Sequence, residues 1–244
     1  MRYDVRDLLR AALRRAGWTI HRWPANRFDA MDDALRLLRR QGFNPAVVVD
    51  VGANRGLWTD LAARVFEARQ HHLIEPLPGC QVSLARFRPP RFHVHPVALT
   101  AAGTTAVTMS GASAGLSSTG AWVAAPGEED AHAVDVPATT LDELLGSRVR
   151  AADRPLLKLD AEGHELTILG AGTQVLAASE VVITESRVFP FVSGQPALQD
   201  VVTFMHARGF QLYDVAALAP LRPGLRLGMC DVVFVRADSA LAAT

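Results

Sequence analysis

Three features predict an α/β fold built on a doubly wound, mostly parallel seven-stranded sheet. Residues 47–56 read Val-Val-Val-Asp-Val-Gly-Ala-Asn-Arg-Gly. A β-branched strand runs there into a glycine-bearing turn, and an amphipathic stretch, Leu57 to Arg69, follows: strand, tight turn, helix. One β–α unit downstream, His71-His72-Leu73-Ile74-Glu75-Pro76 reads as a second short strand ending in an acid. Beyond it, strand-like and helix-like segments alternate, as parallel strands joined by crossover helices require.

In chain order, residues 1–44 read as an N-terminal helical extension. Val5, Leu8, Leu9, Ala12, Leu13 and Ala16 recur at helical spacing opposite Arg6, Arg10 and Arg14, and Gly17 is a fitting stop. A second helix, about Phe28 to Gln41, turns Met31, Ala34, Leu35 and Leu38 inward. The expected role is a solvated helical cap on the sheet. The alternative is a docking surface for an anionic lipid, a carrier or a second subunit, because residues 1–40 hold ten Arg against five Asp.

The core is expected over 45–236, with 237–244 as a C-terminal tail. Strands are predicted at about 46–51, 70–75, 91–97, 155–160, 180–186, 210–215 and 230–236. Helices are predicted at 57–68, 77–87, 165–177 and 197–208. Residues 99–140 break the alternation, being rich in Ala, Gly, Ser and Thr, with alternating patches at Thr105–Met109 and Ala133–Val136. They predict an inserted β-hairpin with a mobile loop, Gly111 to Gly120, over the C-terminal ends of the strands, where ligands bind in this class of fold.

Composition narrows the function. Hydrophobic residues make up 49% of 244, enough for a core, and the net charge is zero, which does not mark a nucleic-acid binder. Two cysteines, Cys80 and Cys230, do not make a disulfide framework. No apolar run reaches the roughly 18 residues of a membrane span, and Arg10, Arg14 and Arg15 interrupt any signal-peptide core. A cytoplasmic location is expected, and a homodimer is compatible with the chain.

The turn selects the ligand. Gly52 and Gly56 can take turn conformations and let a ligand come close. A dinucleotide turn needs G-x-G-x-x-G, but Asn54 and Leu57 stand where its second and third glycines would be. Asp50 would repel a diphosphate and welcome the ammonium and sulfonium of S-adenosylmethionine (SAM). Glu75 is in register to accept ribose hydroxyls. A third block, Leu156 to Glu165, runs from an apolar strand into another acidic, glycine-bearing turn and a helix. It carries the chain's one lysine, Lys158, on the same strand face as Asp160 and is expected to be paired with nearby acids.

Asp50-Val51-Gly52-Ala53-Asn54-Arg55-Gly56, Glu75-Pro76 and Leu157 to Glu165 resemble the motifs of the FkbM family of SAM-dependent methyltransferases. Gly115-Leu116-Ser117-Ser118, Thr139 to Leu144 and Val182-Ile183-Thr184-Glu185 resemble smaller pieces of that family, in the same order, so the likeness covers about 45–236. It implies a Rossmann-like class I methyltransferase fold, SAM as cofactor, and O-methylation of a sugar, glycolipid or natural-product hydroxyl. The expected SAM-binding residues are Asp50, Gly52, Asn54, Gly56, Glu75 and Asp160.

Methyl transfer to a hydroxyl gains from a positioned base. His164, in the first turn of a helix whose dipole disfavours imidazolium, is the first candidate, and Glu185, an acid inside an apolar strand, is the second. Asp160, Glu162, His164 and Glu185 could also ligate Mg²⁺, but their spacing is not diagnostic and no required metal is expected. Two other functions stay open: a non-catalytic SAM-fold partner subunit of a biosynthetic enzyme, and an NAD-type oxidoreductase. The second is disfavoured by the turn and by having only two tyrosines, Tyr3 and Tyr213.

Overall fold

The computed structural model describes residues 13, 16, 27–111, 120–124, 130–190, 195–220 and 226–243. Most of the basic helix expected around Val5 to Ala16, most of the Gly111–Gly120 loop and the Gly115–Ser118 segment lie outside them.

Helix α1 (Arg27–Arg40) leads to strand β1 (Val47–Val51), helix α2 (Leu57–Val65), β2 (Gln70–Ile74), α3 (Pro78–Leu84) and β3 (Phe92–His95). The insertion supplies β4 (Ala98–Leu99), β5 (Ala106–Ser110), β6 (Trp122–Val123), β7 (Val134–Thr139) and helix α4 (Leu141–Leu145). Then come β8 (Leu156–Leu159), α5 (Glu165–Gly170), α6 (Thr173–Ala178), β9 (Val181–Arg187), α7 (Leu198–His206), β10 (Phe210–Pro220) and β11 (Leu227–Arg236).

The main sheet has seven strands in the order β10-β11-β9-β8-β1-β2-β3. β3, β2, β1, β8 and β9 run parallel, and β11 pairs antiparallel with both β9 and β10. The chain winds outward from β1 to β3, then returns to β8 on the other side of β1. That reversal opens a crevice above the C-terminal ends of β1 and β8.

Both faces of the sheet are covered, so the central strands are apolar throughout. All five residues of β1 are buried. Alternate side chains go to opposite cores. Val47, Val49, Val51, Leu157 and Leu159 meet α4–α7 residues such as Leu141, Leu169 and Met205, while Val48, Leu156 and Ile183 meet Leu35, Leu38, Leu61 and Phe66 of and around α1 and α2. Among the described side chains of α1, Met31, Ala34, Leu35 and Leu38 are buried, as their spacing predicts.

Three elements differ from the sequence-based expectation. The helix expected over 165–177 is two, broken at Ala171-Gly172. A Cβ on Gly172 would stand 2.7 Å from the Leu141 side chain, so α4 packs where a continuous helix would need room. The insertion is a four-stranded sheet, β4-β7-β5-β6, and the expected hairpin is its antiparallel β5–β7 pair. Helix α4 was not expected from periodicity, being five residues long. Its signature is a capping box: Glu143 N donates to Thr140 Oγ1 at 3.0 Å and Thr140 N to Glu143 Oε2 at 3.1 Å.

Candidate active site

A cavity of about 560 Å³ lies over the ends of β1, β2 and β8. Its apolar walls include Trp58, Leu77, Val97, Leu99, Met109 and Ile168. Gly52, Asn54, Glu75, Lys158, Asp160, Glu162 and His164 bring polar groups to it.

The β1–α2 turn is shaped by the protein's own backbone. Gly52 has φ +73° and donates its N–H to Ile74 O at 3.0 Å. A Cβ there would sit 1.9 Å from the Asp160 carbonyl oxygen. Gly56 has φ +80°, and a Cβ there would sit 2.3 Å from the Phe87 ring. The sequence reading assigned both glycines partly to ligand approach. The packing of β8 and of Phe87 already demands them.

Asn54 is left-handed, φ +50°, which aims its N–H at Glu75 Oε2, 2.9 Å away. Leu77 N donates to Glu75 Oε1 at 2.9 Å. One carboxylate thus ties the first β–α turn to the second. Burial pushes the Glu75 pKa up, against the pull of the two amides. Each oxygen keeps a second lone pair, and Glu75 lines the cavity.

Asp50 stands behind the turn and is not among the cavity-lining residues. It is 1% exposed, accepts from Thr59 Oγ1 at 2.6 Å and lies 3.1 Å from Lys158 Nζ. Lys158 also donates to the carbonyls of Val51 and Gly52 at 3.3 and 3.2 Å, and lies 3.6 Å from Asp160 Oδ2. The buried lysine is therefore paired with acids, as burial of a charge requires. It staples the ends of β1 and β8 at the cavity floor.

The second acidic turn is held from inside. Glu162 and Gly163 are left-handed, φ +52° and +99°, and Glu165, 4% exposed, accepts from Ala161 N at 2.8 Å and Gly163 N at 3.2 Å. Glu162 pairs with Arg187 at 3.2 Å. Carboxylate oxygens of Asp160, Glu162 and Glu185 lie within 4.8 Å of one another, the one group among the described residues able to take a hard cation; His164 is not part of it. Glu185 is paired in register with Asp231 of β11, and both are buried.

His164 precedes α5 and lines the cavity. Its Nε2 lies 3.0 Å from Thr100 Oγ1, so its ring partner is neither Glu162 nor Glu165. Burial lowers its pKa by desolvation, the direction expected from sequence. Met31, Trp58, Thr100 and Asp231 are the site residues that sequence reading passed over. Asp231, an acid between Cys230 and Val232, carried the same signal that singled out Glu185.

The model of the methyltransferase FkbM domain matches residues 50–212. The chain belongs to the FkbM methyltransferase family. That stretch includes both acidic turns, Glu75 and Glu185, while Met31 and Asp231 of this FkbM-family chain lie outside it. Among solved structures it is similar to a putative RNA methyltransferase of Pyrococcus horikoshii, at 15% identity and TM-score 0.46 over 85% of this chain and 83% of that one. It is similar to precorrin-6y C5,15-methyltransferase of Geobacter metallireducens at 13% identity and TM-score 0.45, over 86% and 87%. A third is magnesium protoporphyrin IX methyltransferase of Synechocystis with bound SAM, at 12% identity and TM-score 0.47, over 85% and 78%. No curated protein matches the chain.

Proposed function

We propose that this methyltransferase uses SAM and methylates a hydroxyl of a sugar, glycolipid or natural-product acceptor. The observation that carries the SAM reading is Glu75: a buried carboxylate, fixed by Asn54 N and Leu77 N, with acceptor capacity turned to a cavity of nucleoside size. The residues fit the cofactor. Glu75 would take the two ribose hydroxyls, and Leu77, Val97 and Leu99 would bracket the adenine. Gly52, Asn54 and Gly56 shape the turn that would hold the amino-acid end, where Asp160 would pair with the ammonium. Asp50 acts at second hand, by neutralising Lys158 under that turn. The SAM sulfonium supplies a methyl group for in-line displacement.

The chain's own task is to hold the acceptor oxygen, exclude water and remove a proton. His164 accepts that proton, and its burial favours the neutral ring that can do so. Glu185 is the alternative base. The Asp160–Glu162–Glu185 oxygens support a second reading, in which a divalent cation acidifies the acceptor hydroxyl.

Calorimetric titration with SAM and with NAD, followed by a methyl-release assay on hydroxylated acceptors, tests the proposal. SAM binding with product formation is expected. SAM binding without turnover on any acceptor would favour the non-catalytic partner, and NAD binding would overturn both.

A further inference from the structure

The inserted sheet reaches the proposed base through one side chain. β4 ends at Leu99, and the next residue, Thr100, is 5% exposed. Ala98 and Leu99 pair in parallel with Ala138 and Thr139 of β7, and Thr100 N donates to Thr139 O at 3.0 Å. The residue after Thr139 begins the capping box of α4. The backbone at Thr100 is therefore fixed from two sides, and its hydroxyl is delivered to His164 across 64 positions of sequence.

Thr100 Oγ1 lies 3.0 Å from His164 Nε2, and among the described residues no other hydrogen bond to this ring is made. With Nε2 taken, Nδ1 is the nitrogen left for a ligand in the cavity that His164 lines. A neutral imidazole has one N–H and one lone pair, and the partner of one nitrogen decides which is which.

We propose that Thr100 is the positioning residue for His164: its Oγ1 accepts from Nε2–H, keeps the Nδ1 lone pair free for the acceptor hydroxyl, and supports the positive ring once Nδ1 has taken the proton. The proposal rests on the base role of His164. In the opposite arrangement the threonine O–H donates to Nε2, the proton sits on Nδ1, and the ring cannot accept there. The inserted sheet thus acts as an arm that sets the tautomer of the base, as well as a cover for the cavity.

The test starts from the unaltered chain. Nitrogen-15 NMR of the His164 ring is expected to show a protonated Nε2 and a bare Nδ1; the reverse pattern overturns the proposal without any variant. Thr100→Val keeps the β-branched shape and removes the hydroxyl. It is expected to lower kcat by about tenfold, since one hydrogen bond is lost, and to remove the fixed Nε2–H pattern from the nitrogen-15 spectrum. SAM affinity and acceptor KM should stay within about twofold. Thr100→Ser should restore the ring pattern and the rate. A retained kcat or an unchanged ring pattern in Thr100→Val overturns the proposal. His164→Ala separates the two levels. If it leaves kcat intact, the base reading itself fails. If it abolishes turnover while Thr100→Val does not slow it, only the role of Thr100 is lost.

Discussion

Glu75 serves both the fold and the proposed ligand, and this decides how it should be tested. Glu75→Ala removes the carboxylate from the ribose but also orphans Asn54 N and Leu77 N. Hydrogen bonds to a charged group are worth about 1.5–3 kcal/mol each, so SAM should bind at least about tenfold more weakly in a calorimetric titration, with a lowered Tm beside it. The two amide bonds make the loss fall on the fold as well as on the ligand. Because burial raises the Glu75 pKa, SAM affinity should begin to fall, as pH decreases, above the usual carboxylate range. For the base, His164→Ala should lower kcat by about 10²-fold or more with SAM affinity unchanged, and activity should rise with pH through a midpoint below that of free histidine. Loss of turnover in Glu185→Gln but not in His164→Ala would make the carboxylate the base; sensitivity to EDTA with neither would point to the cation. The acids and glycines of the site were legible because each breaks an apolar strand or its end. The reason for each glycine was not. Backbone crossing at Asp160 and the Phe87 ring are contacts between distant segments, and nothing local encodes them. Thr100 was invisible for the same reason: its partner lies 64 residues away.

Among the elements, the central strands and their flanking helices could be read because burial on both faces writes a continuous apolar run. The α5–α6 break and the inserted sheet could not, since one depends on Leu141 packing at Gly172 and the other on pairing between short, weakly patterned strands. The β2–β3 edge holds the least expected feature, a histidine cluster. His72 Nδ1 and His95 Nε2 are 3.1 Å apart, His93 stacks on His72, and His71 stacks on Phe92 with ring centroids 5.0 Å apart. Burial, with Arg91 near His71, with His95, His93 and then Arg148 near His72, and with Arg148 near His95, lowers their pKa values to about 4 for His71, about 3 for His72 and about 4 for His95. The unfolded chain takes up these protons near pH 6.5, while the folded chain refuses them until well below. Stability from this edge is therefore complete above about pH 6.5 and is lost as pH falls toward 4 and 3. A Tm that declines steadily from pH 7 to 4.5 is expected. Both ring nitrogens of His71 are buried without a hydrogen bond among the described residues. His71→Phe should therefore hold or raise the Tm at pH 7 and flatten the decline; an unchanged slope would place the pH sensitivity elsewhere.

At the scale of the molecule, the cavity draws on segments far apart in the chain. Met31 comes from α1 and Asp231 from β11, both outside residues 50–212, while the other lining residues lie within that stretch. Binding there joins the two main cores, since Val51 and Leu159 belong to one while Met31, Trp58 and Ile183 belong to the other. A ligand bridging both should stabilise the fold as a unit. SAM at 100 times its dissociation constant adds about 2.7 kcal/mol to the folded state if the unfolded chain does not bind it. For a chain of 244 residues each kcal/mol moves the Tm by roughly 2–4 °C, so a rise of about 5–10 °C is expected in a thermal melt. NAD at the same concentration should leave the Tm where it is. Its diphosphate would have to cross the turn at Asn54, where a dinucleotide fold has glycine. Gly52→Ala is the internal control for the architecture. Its Cβ meets the Asp160 carbonyl oxygen at 1.9 Å, so the Tm should drop in the absence of any ligand, because β1 and β8 can no longer close on each other. A melt in which NAD stabilises the protein as much as SAM would return the site to the dinucleotide reading, whatever the family's chemistry.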